Sequence, residues 1–346
     1  MRHQPDILES GAPDGVDRRF CVAPMMDWTD RHCRSFMRLI SARALLYTEM
    51  VTSAALVHGD RERLIGFGPS EMPVALQLGG SDPGELASAA RIGEQFGYAE
   101  INLNVGCPSD RVQSGRFGAC LMAEPDLVVR CVEAMASAVD LPVTVKCRIG
   151  IDDQDAHEGL KRFVAIVSAG GCRTFIVHAR KAWLKGLSPK QNRDVPPLDH
   201  KRVHTLKQDH PELEIIVNGG IETLAEAETH LARADGVMLG RAAYNNPYML
   251  AEVDRRFFGS ASPTPSREDV LDRFISYAER ELARGSRLHH LTRHILGLYH
   301  GEPGARAFRR FLAERSARPD AGVDALKECL ARMRNARMHA APVAAE

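Results

Sequence analysis

Short apolar runs alternate with amphipathic stretches from residue 20 to about residue 258. The runs are Phe20–Ala23, Leu45–Thr48, Val74–Leu78, Glu100–Asn104, Val143–Cys147, Thr174–His178, Glu214–Asn218 and Gly236–Gly240. Each is four or five residues long, and several are rich in Val and Ile. Strands buried on both faces of a parallel sheet have this pattern. The segments between them carry helical spacing. Val128, Cys131, Val132 and Met135 fall at i, i+3, i+4 and i+7, and Leu160, Phe163, Val164 and Val167 repeat it. Pro83 and Pro125 stand where a first helical turn begins, and Gly97, Gly170 and Gly171 stand where helices close.

Eight strand–helix units fill this stretch, close to the ~250 residues of a (β/α)8 barrel. The competing doubly wound sheet has fewer strands and an early G-x-G-x-x-G turn, which is absent after the first run. Residues 259–266 hold only small, turn-forming residues and read as a linker. Beyond them the spacing is purely helical. Val270, Phe274 and Tyr277 predict one helix, and Leu291, Ile295 and Leu298 a second. Phe308, Phe311 and Leu312 predict a third, and Val323, Leu326 and Leu330 a fourth. The expected architecture is an α/β fold, a TIM barrel over 18–258 followed by a small all-helical domain over 267–338. Residues 1–17 are polar and read as a disordered extension.

Composition narrows the picture. The chain has 346 residues, 44% hydrophobic and 26% charged, which excludes disorder and collagen. No apolar run approaches the ~20 residues of a membrane span. The eight cysteines form no C-x-x-C pair, so free thiols in a reducing cytoplasm are expected, without zinc or disulfides. Forty-five basic and forty-five acidic residues cancel. That balance excludes a uniformly basic coat protein, but it hides asymmetry. Residues 180–210 hold eight Lys and Arg against three Asp, and the helical part, 266–346, holds fifteen against eleven acids.

Chemistry in a barrel sits at the C-terminal strand ends, and there the chain clusters unusual residues. Gly219-Gly220 after the seventh strand and Gly240-Arg241 after the eighth can present backbone N–H groups and a cation to a phosphate, or can simply turn tightly. Lys146 interrupts an otherwise apolar strand. It either meets an anion or electron-rich ligand, or snorkels out of the strand end. His178 is either a satisfied core histidine or a ligand contact. Gln77 suits an amide-like edge such as a flavin pyrimidine, or a neighbouring loop. Cys107, in a Gly-Cys-Pro turn just past a strand, differs from Cys21, Cys131, Cys147 and Cys172, which occupy apolar periodic positions. A thiol at the mouth can act as nucleophile or proton donor. These groups fit FMN better than pyridoxal phosphate, for which Gln77 and Cys107 would have no task.

Several motifs resemble the tRNA-dihydrouridine synthase family. They are APMMDWTDRHCR (23–34), NLNVGCPS (102–109), RVQSGRFGACLM (111–122), VKCRIGIDD (145–153) and VMLGRAAYNNPYML (237–250). HARKAWLKGLSPKQNRDVPPL (178–198) resembles the bacterial subgroup acting on positions 20 and 20a of the tRNA D-loop. The resemblance spans about residues 18–315. It implies an FMN barrel followed by a helical tRNA-binding domain, in a cytoplasmic monomer that needs no metal or membrane. It implies that Pro24, Met25 and Met26 line the flavin, that Gln77, Lys146 and His178 contact it, and that Asn218, Gly219, Gly220, Gly240 and Arg241 hold its phosphate end. It further implies that NADPH reduces the flavin, that flavin N5 gives hydride to uracil C6, and that Cys107 protonates C5. Asn104 would orient the base, and Lys190, Arg193, Arg306 and Arg309 would contact tRNA. Two rivals remain. One is a dihydropyrimidine- or dihydroorotate-type FMN barrel acting on a free small molecule. The other is a non-catalytic tRNA-binding barrel.

Overall fold

The computed structural model describes residues 14–155 and 157–340, the last five as backbone. The described residues divide into two compact units, one of 14–26 and 45–240, the other of 27–44 and 241–340.

The first unit is the expected barrel. Its strands are β1 (Phe20–Val22), β2 (Leu45–Tyr47), β3 (Val74–Gly79), β4 (Glu100–Val105), β5 (Val143–Arg148), β6 (Thr174–His178), β7 (Glu214–Asn218) and β8 (Gly236–Leu239). All pair in parallel, and the ring closes because β1 pairs with both β2 and β8 while β2 pairs with β3. A short piece, Val51–Thr52, continues β2 higher along β3. Between the pairs Leu46–Val74 and Val51–Leu78 the second strand carries one residue more than β3, so it bulges at the mouth.

The strands have two kinds of face. Leu76 and Ile101 meet the Pro83–Phe96 helix, and at Gly93 an added Cβ would lie 2.7 Å from Leu76 and 2.8 Å from Ile101, so glycine lets the helix approach. The opposite faces fill the barrel. Cys21, Ala23, Leu45, Tyr47, Ala75, Ile176, Ile216 and Met238 form one buried cluster there. On β4 and β5 the inward positions are polar: Glu100, Asn102, Asn104, Thr144, Lys146 and Arg148. Helix ends follow local chemistry. The Asp82 carboxylate accepts the Glu85 N–H, and Gly97 ends the same helix with φ 88°.

The barrel floor is ionic. Arg18, fully buried, pairs with Glu100 at 2.6 Å, Glu214 at 2.9 Å and Asp14 at 2.8 Å. Val16 joins the core cluster. The start of the expected disordered extension, residues 1–13, lies outside the described residues. Its end, 14–17, is instead held in place, because Asp14 and Val16 complete the floor.

The second unit is helical, with a wider boundary than the spacing suggested. It begins at Arg241 rather than after residue 258, and it takes in the Arg31–Arg38 helix. Polar ties explain this. Asp254 accepts from the Ser41 hydroxyl at 2.5 Å and the Ala42 N–H at 2.7 Å, and Asp30 pairs with Arg293 and His294. Phe36 meets Phe274 edge-on, and Trp28 stacks on Tyr244. The expected helix through Leu291, Ile295 and Leu298 stops at Thr292, although all three side chains are buried. At Gly297 an added Cβ would lie 2.4 Å from the Asn245 carbonyl oxygen, and the chain turns there instead. Among the described residues no helix is long and apolar enough to cross a membrane.

Candidate active site

The C-terminal strand ends bring Gln77, Asn104, Lys146, His178 and Asn218 to one mouth, in register around the barrel. Asn104 stands opposite Lys146, and His178 opposite Asn218. A directional chain of hydrogen bonds descends from the mouth. Asn104 Nδ2 donates to Gln77 Oε1 (2.9 Å), Gln77 Nε2 to Asn102 Oδ1 (2.7 Å), and Asn102 Nδ2 to Thr144 Oγ1 (2.8 Å). The Thr144 hydroxyl then donates to Glu100 Oε1 (2.6 Å), which also accepts from Tyr47 (2.7 Å). Every member has a partner, and the chain ends on a carboxylate that Arg18 neutralises. Such a network fixes the orientation of each amide. Gln77 is thus a buried link, with one amide hydrogen and one lone pair left for a ligand.

Lys146 does not snorkel out of the strand. Its Nζ donates to Asn218 Oδ1 at 3.1 Å, and Asn218 in turn donates to the Met238 carbonyl at 2.7 Å. Burial, then the neighbouring Arg148 charge, draws the Lys146 ammonium down to about 8. His178 is held well below the usual imidazole range, first by burial and then by Arg148, Lys146, Arg180 and Arg193. Its ring is therefore neutral, and the charges it feels most strongly are all cations. A mouth with this donor set suits an anionic ligand.

Cys107 lies on the turn after β4, half-buried, whereas Cys21, Cys131, Cys147 and Cys172 are buried. Burial pushes the Cys147 and Cys172 thiols up to about 12 and the Cys131 thiol to about 11. The turn is held by side chains. Asn104 Oδ1 accepts the backbone N–H groups of Gly106 (3.1 Å) and Cys107 (3.0 Å). The Cys107 Sγ lies 3.6 Å from the Ser109 hydroxyl, and Ala119 N–H donates to the Cys107 carbonyl. The side chain expected to orient a base therefore shapes the cysteine turn, and retains one Nδ2 hydrogen for a ligand.

Two residues that sequence reasoning passed over tie this turn to the basic loop after β6. Arg148, buried, donates from Nε to the Gly106 carbonyl (3.0 Å) and from one terminal nitrogen to the Lys181 (3.1 Å) and Asn192 (2.9 Å) carbonyls. Gln113 Nε2 bridges the Pro108 and Leu184 carbonyls, each at 2.8 Å. The signal for Arg148 was present: in Thr144-Val-Lys146-Cys-Arg148 every second residue is polar. Nothing in the sequence marks Gln113.

The glycine turn after β7 is required by the protein's own packing. Gly219 has φ 105°, and an added Cβ would lie 2.4 Å from the His178 ring. Gly220 has φ 70°, and its added Cβ would lie 2.3 Å from Leu198. A ring N–H of His200 donates to the Gly219 carbonyl at 2.6 Å. Gly240 differs: an added Cβ would make ordinary contacts with Met25 and Ala23. Pro24 and Met25 are half-buried, and Met26 is exposed. Arg241 opens a helix of the second unit.

Lys190 and Arg193 are exposed at the ends of the short Gln191–Asp194 helix in the loop after β6. In the second unit, Arg306 and Arg309 are exposed on the outer face of the Ala305–Ser316 helix, whose inner face buries Phe308 and Leu312. Among the described residues no three His, Cys, Asp or Glu side chains are grouped to hold a metal.

Fold and mouth together define a TIM-barrel enzyme with an electropositive, thiol-bearing site. The chain belongs to the dihydrouridine synthase (Dus) family, whose pattern matches residues 21–335. It is 57% identical over 316 residues to a tRNA-dihydrouridine(20/20a) synthase of Vibrio cholerae, covering 91% of this chain and 96% of the relative. The enzyme of the same name from Shewanella oneidensis is 58% identical over 90% of this chain and 93% of its own length. That of Escherichia coli K12 is 56% identical over 95% and 94%. Among solved structures, a 2-naphthoyl-CoA reductase complex superposes with TM-score 0.54 at 12% identity, covering 69% of this chain and 50% of that one. An old yellow enzyme homologue from Zymomonas mobilis gives 0.50 at 12% identity, covering 72% and 90%. At that identity the likeness is one of fold.

Proposed function

We propose that this chain reduces the C5–C6 double bond of uridine at positions 20 and 20a of the tRNA D-loop, using FMN and NADPH. The observation that carries this reading is the electropositive mouth beside a held cysteine turn, in a chain of this family. The donor set fits the group. Lys146, His178 and Gln77 would face the flavin ring and Pro24, Met25 and Met26 would line it. Asn218, Gly219, Gly220 and Gly240 would hold its phosphate end. The contact proposed for Arg241 rests on its sequence position after Gly240. When bound, reduced FMN supplies the hydride for uracil C6.

The chain's own residues do the rest. Cys107 delivers a proton from Sγ to C5, so it works as S–H. Asn104 holds the Cys107 backbone and presents its remaining Nδ2 hydrogen to the base. Lys146 stabilises negative charge at the mouth. The uridine must leave its stack to reach the barrel, and contacts elsewhere offset that cost. Lys190 and Arg193 on one unit, and Arg306 and Arg309 on the other, would supply phosphate contacts. On this reading the barrel unit, up to Gly240, is the catalytic domain, and the helical unit, which includes residues 27–44 and continues from Arg241, is the tRNA-binding domain of a cytoplasmic monomer.

The test is turnover by purified, FMN-loaded protein with NADPH. An unmodified tRNA transcript should gain dihydrouridine, and free uridine should not be consumed. Turnover of free uridine without action on tRNA would instead support a small-molecule reductase. A colourless protein that cannot be loaded with FMN would support a non-catalytic binder.

A further inference from the structure

Four large hydrophobic side chains are exposed among the described residues: Met26, Trp183, Val195 and Leu198. Three lie in the loop after β6, and Trp183 is the one aromatic among the four, 38% exposed. Its backbone is fixed from below. Asn192, completely buried, accepts the Trp183 N–H at 2.7 Å and donates to the Trp183 carbonyl at 2.9 Å and the Leu187 carbonyl at 3.1 Å. The next residue is fixed too. Leu184 N–H donates to Asp152 at 2.8 Å, and its carbonyl accepts from Gln113. The indole therefore stands on rigid backbone yet reaches solvent. Its surroundings are cationic. Lys181 Nζ lies 5.9 Å from the ring centroid, anchored on the Gln154 carbonyl at 2.6 Å, and Lys185, Lys190 and Arg193 are exposed on the same loop.

A held, exposed aromatic ring among cations is how proteins bind unpaired bases. The cations draw in phosphates, and the ring stacks a base of any identity. Rigid backbone lowers the ordering cost at binding. Position narrows the occupant further. Gln113 joins the Leu184 carbonyl to the Pro108 carbonyl of the cysteine turn, so this loop is tied directly to the residue after Cys107.

We propose that Trp183 is a stacking platform for an unpaired tRNA nucleobase that flanks the uridine presented to Cys107. The proposal rests on the tRNA reading above and adds to it a specific base-binding position. It makes Trp183 a binding residue that works through affinity and presentation of the strand, and leaves proton delivery to Cys107.

The chain has two tryptophans, so Trp28→Phe leaves Trp183 as the single reporter. In that background, an unmodified tRNA transcript should quench the Trp183 emission saturably. A transcript with abasic sites on both sides of position 20 should bind with little quenching. In the wild-type background Trp183→Ala should weaken tRNA binding about 5- to 150-fold, the range set by losing one stacked base, while Trp183→Phe should stay within about threefold. FMN content should be unchanged in both variants, because the indole is not part of the core. Equal tRNA affinity for Trp183→Ala and wild type, with no quenching, would overturn the platform, and continued dihydrouridine formation would show that the proposed activity survives that failure. Quenching without dihydrouridine formation would support the platform and overturn the activity. Emission that follows protein concentration instead of tRNA would assign the patch to a second copy of the chain and overturn the proposal.

Discussion

Replacing Arg148 by Met or Lys isolates the link between the cysteine turn and the basic loop. Arg148 is 3% exposed, and its guanidinium makes three hydrogen bonds, all to backbone carbonyls: Gly106, Lys181 and Asn192. A charge-assisted bond contributes about 1.5–3 kcal/mol, and an unsatisfied buried acceptor costs a similar amount. Two effects reduce the sum. Burial, opposed by Cys107 and reinforced by Arg193 and Arg180, pulls Arg148 down to about 10, so the native charge already carries a desolvation cost. Water can also reach carbonyls at a barrel mouth. The net loss for Arg148→Met should therefore be about 2–4 kcal/mol. Arg148→Lys keeps the charge but loses the planar fork that reaches three carbonyls, and should recover less than half. Amide hydrogen exchange is the assay. Protection should fall together over residues 104–119 and 181–195 in both variants, with the barrel floor unchanged. Loss in only one segment, or a lysine variant matching wild type, would refute the linkage.

Cys107→Ala should fold normally, since Sγ makes one weak contact with Ser109. It should still bind flavin and accept electrons from NADPH, while dihydrouridine formation falls about 10²–10⁴-fold in single turnover. Asp30 makes the second unit acid-sensitive. Burial alone would raise its carboxyl, but the His294 hydrogen bond and charge, the Cys33 N–H and Arg293 hold it below the usual range. A lowered folded value means stability is complete above about pH 4 and is lost as pH falls toward that folded value. Trp28 emission in an acid titration should report that loss, and Asp30→Asn should flatten it. Arg306→Ala combined with Arg309→Ala should weaken tRNA binding and lower the salt slope by about 1.5–2, one counterion term per phosphate contact. An unchanged slope would remove that helix face from the interface.

The eight strands were legible because each is a short apolar run between amphipathic stretches. The alternation within them carried more. Glu100, Asn102 and Asn104 stand every second residue on β4, as do Thr144, Lys146 and Arg148 on β5, which separates a polar barrel lining from a helix-facing side. Read only as runs buried on both faces, these strands yielded Lys146 and Asn104 but not Arg148 or Asn102. The floor was illegible for another reason. Arg18 looks like a charge preceding a strand, and its partners Glu100 and Glu214 lie 82 and 196 residues away. The same distance effect hid the second unit's claim on residues 27–44, which depends on Asp30 meeting Arg293 and Ser41 meeting Asp254. Cys107 and His178 were found because a turn-borne thiol and a strand-end imidazole are unusual in place as well as in type.

Reduction of tRNA uridine at two adjacent positions should depend on the Cys107 thiol at this mouth. Position-resolved mapping of dihydrouridine in tRNA from cells lacking the gene, complemented with wild type or with Cys107→Ala, tests it most directly. Dihydrouridine at 20 and 20a should be lost on deletion, restored by wild type and not restored by the cysteine variant. Unchanged dihydrouridine at 20 and 20a on deletion, or full restoration by Cys107→Ala, would contradict it.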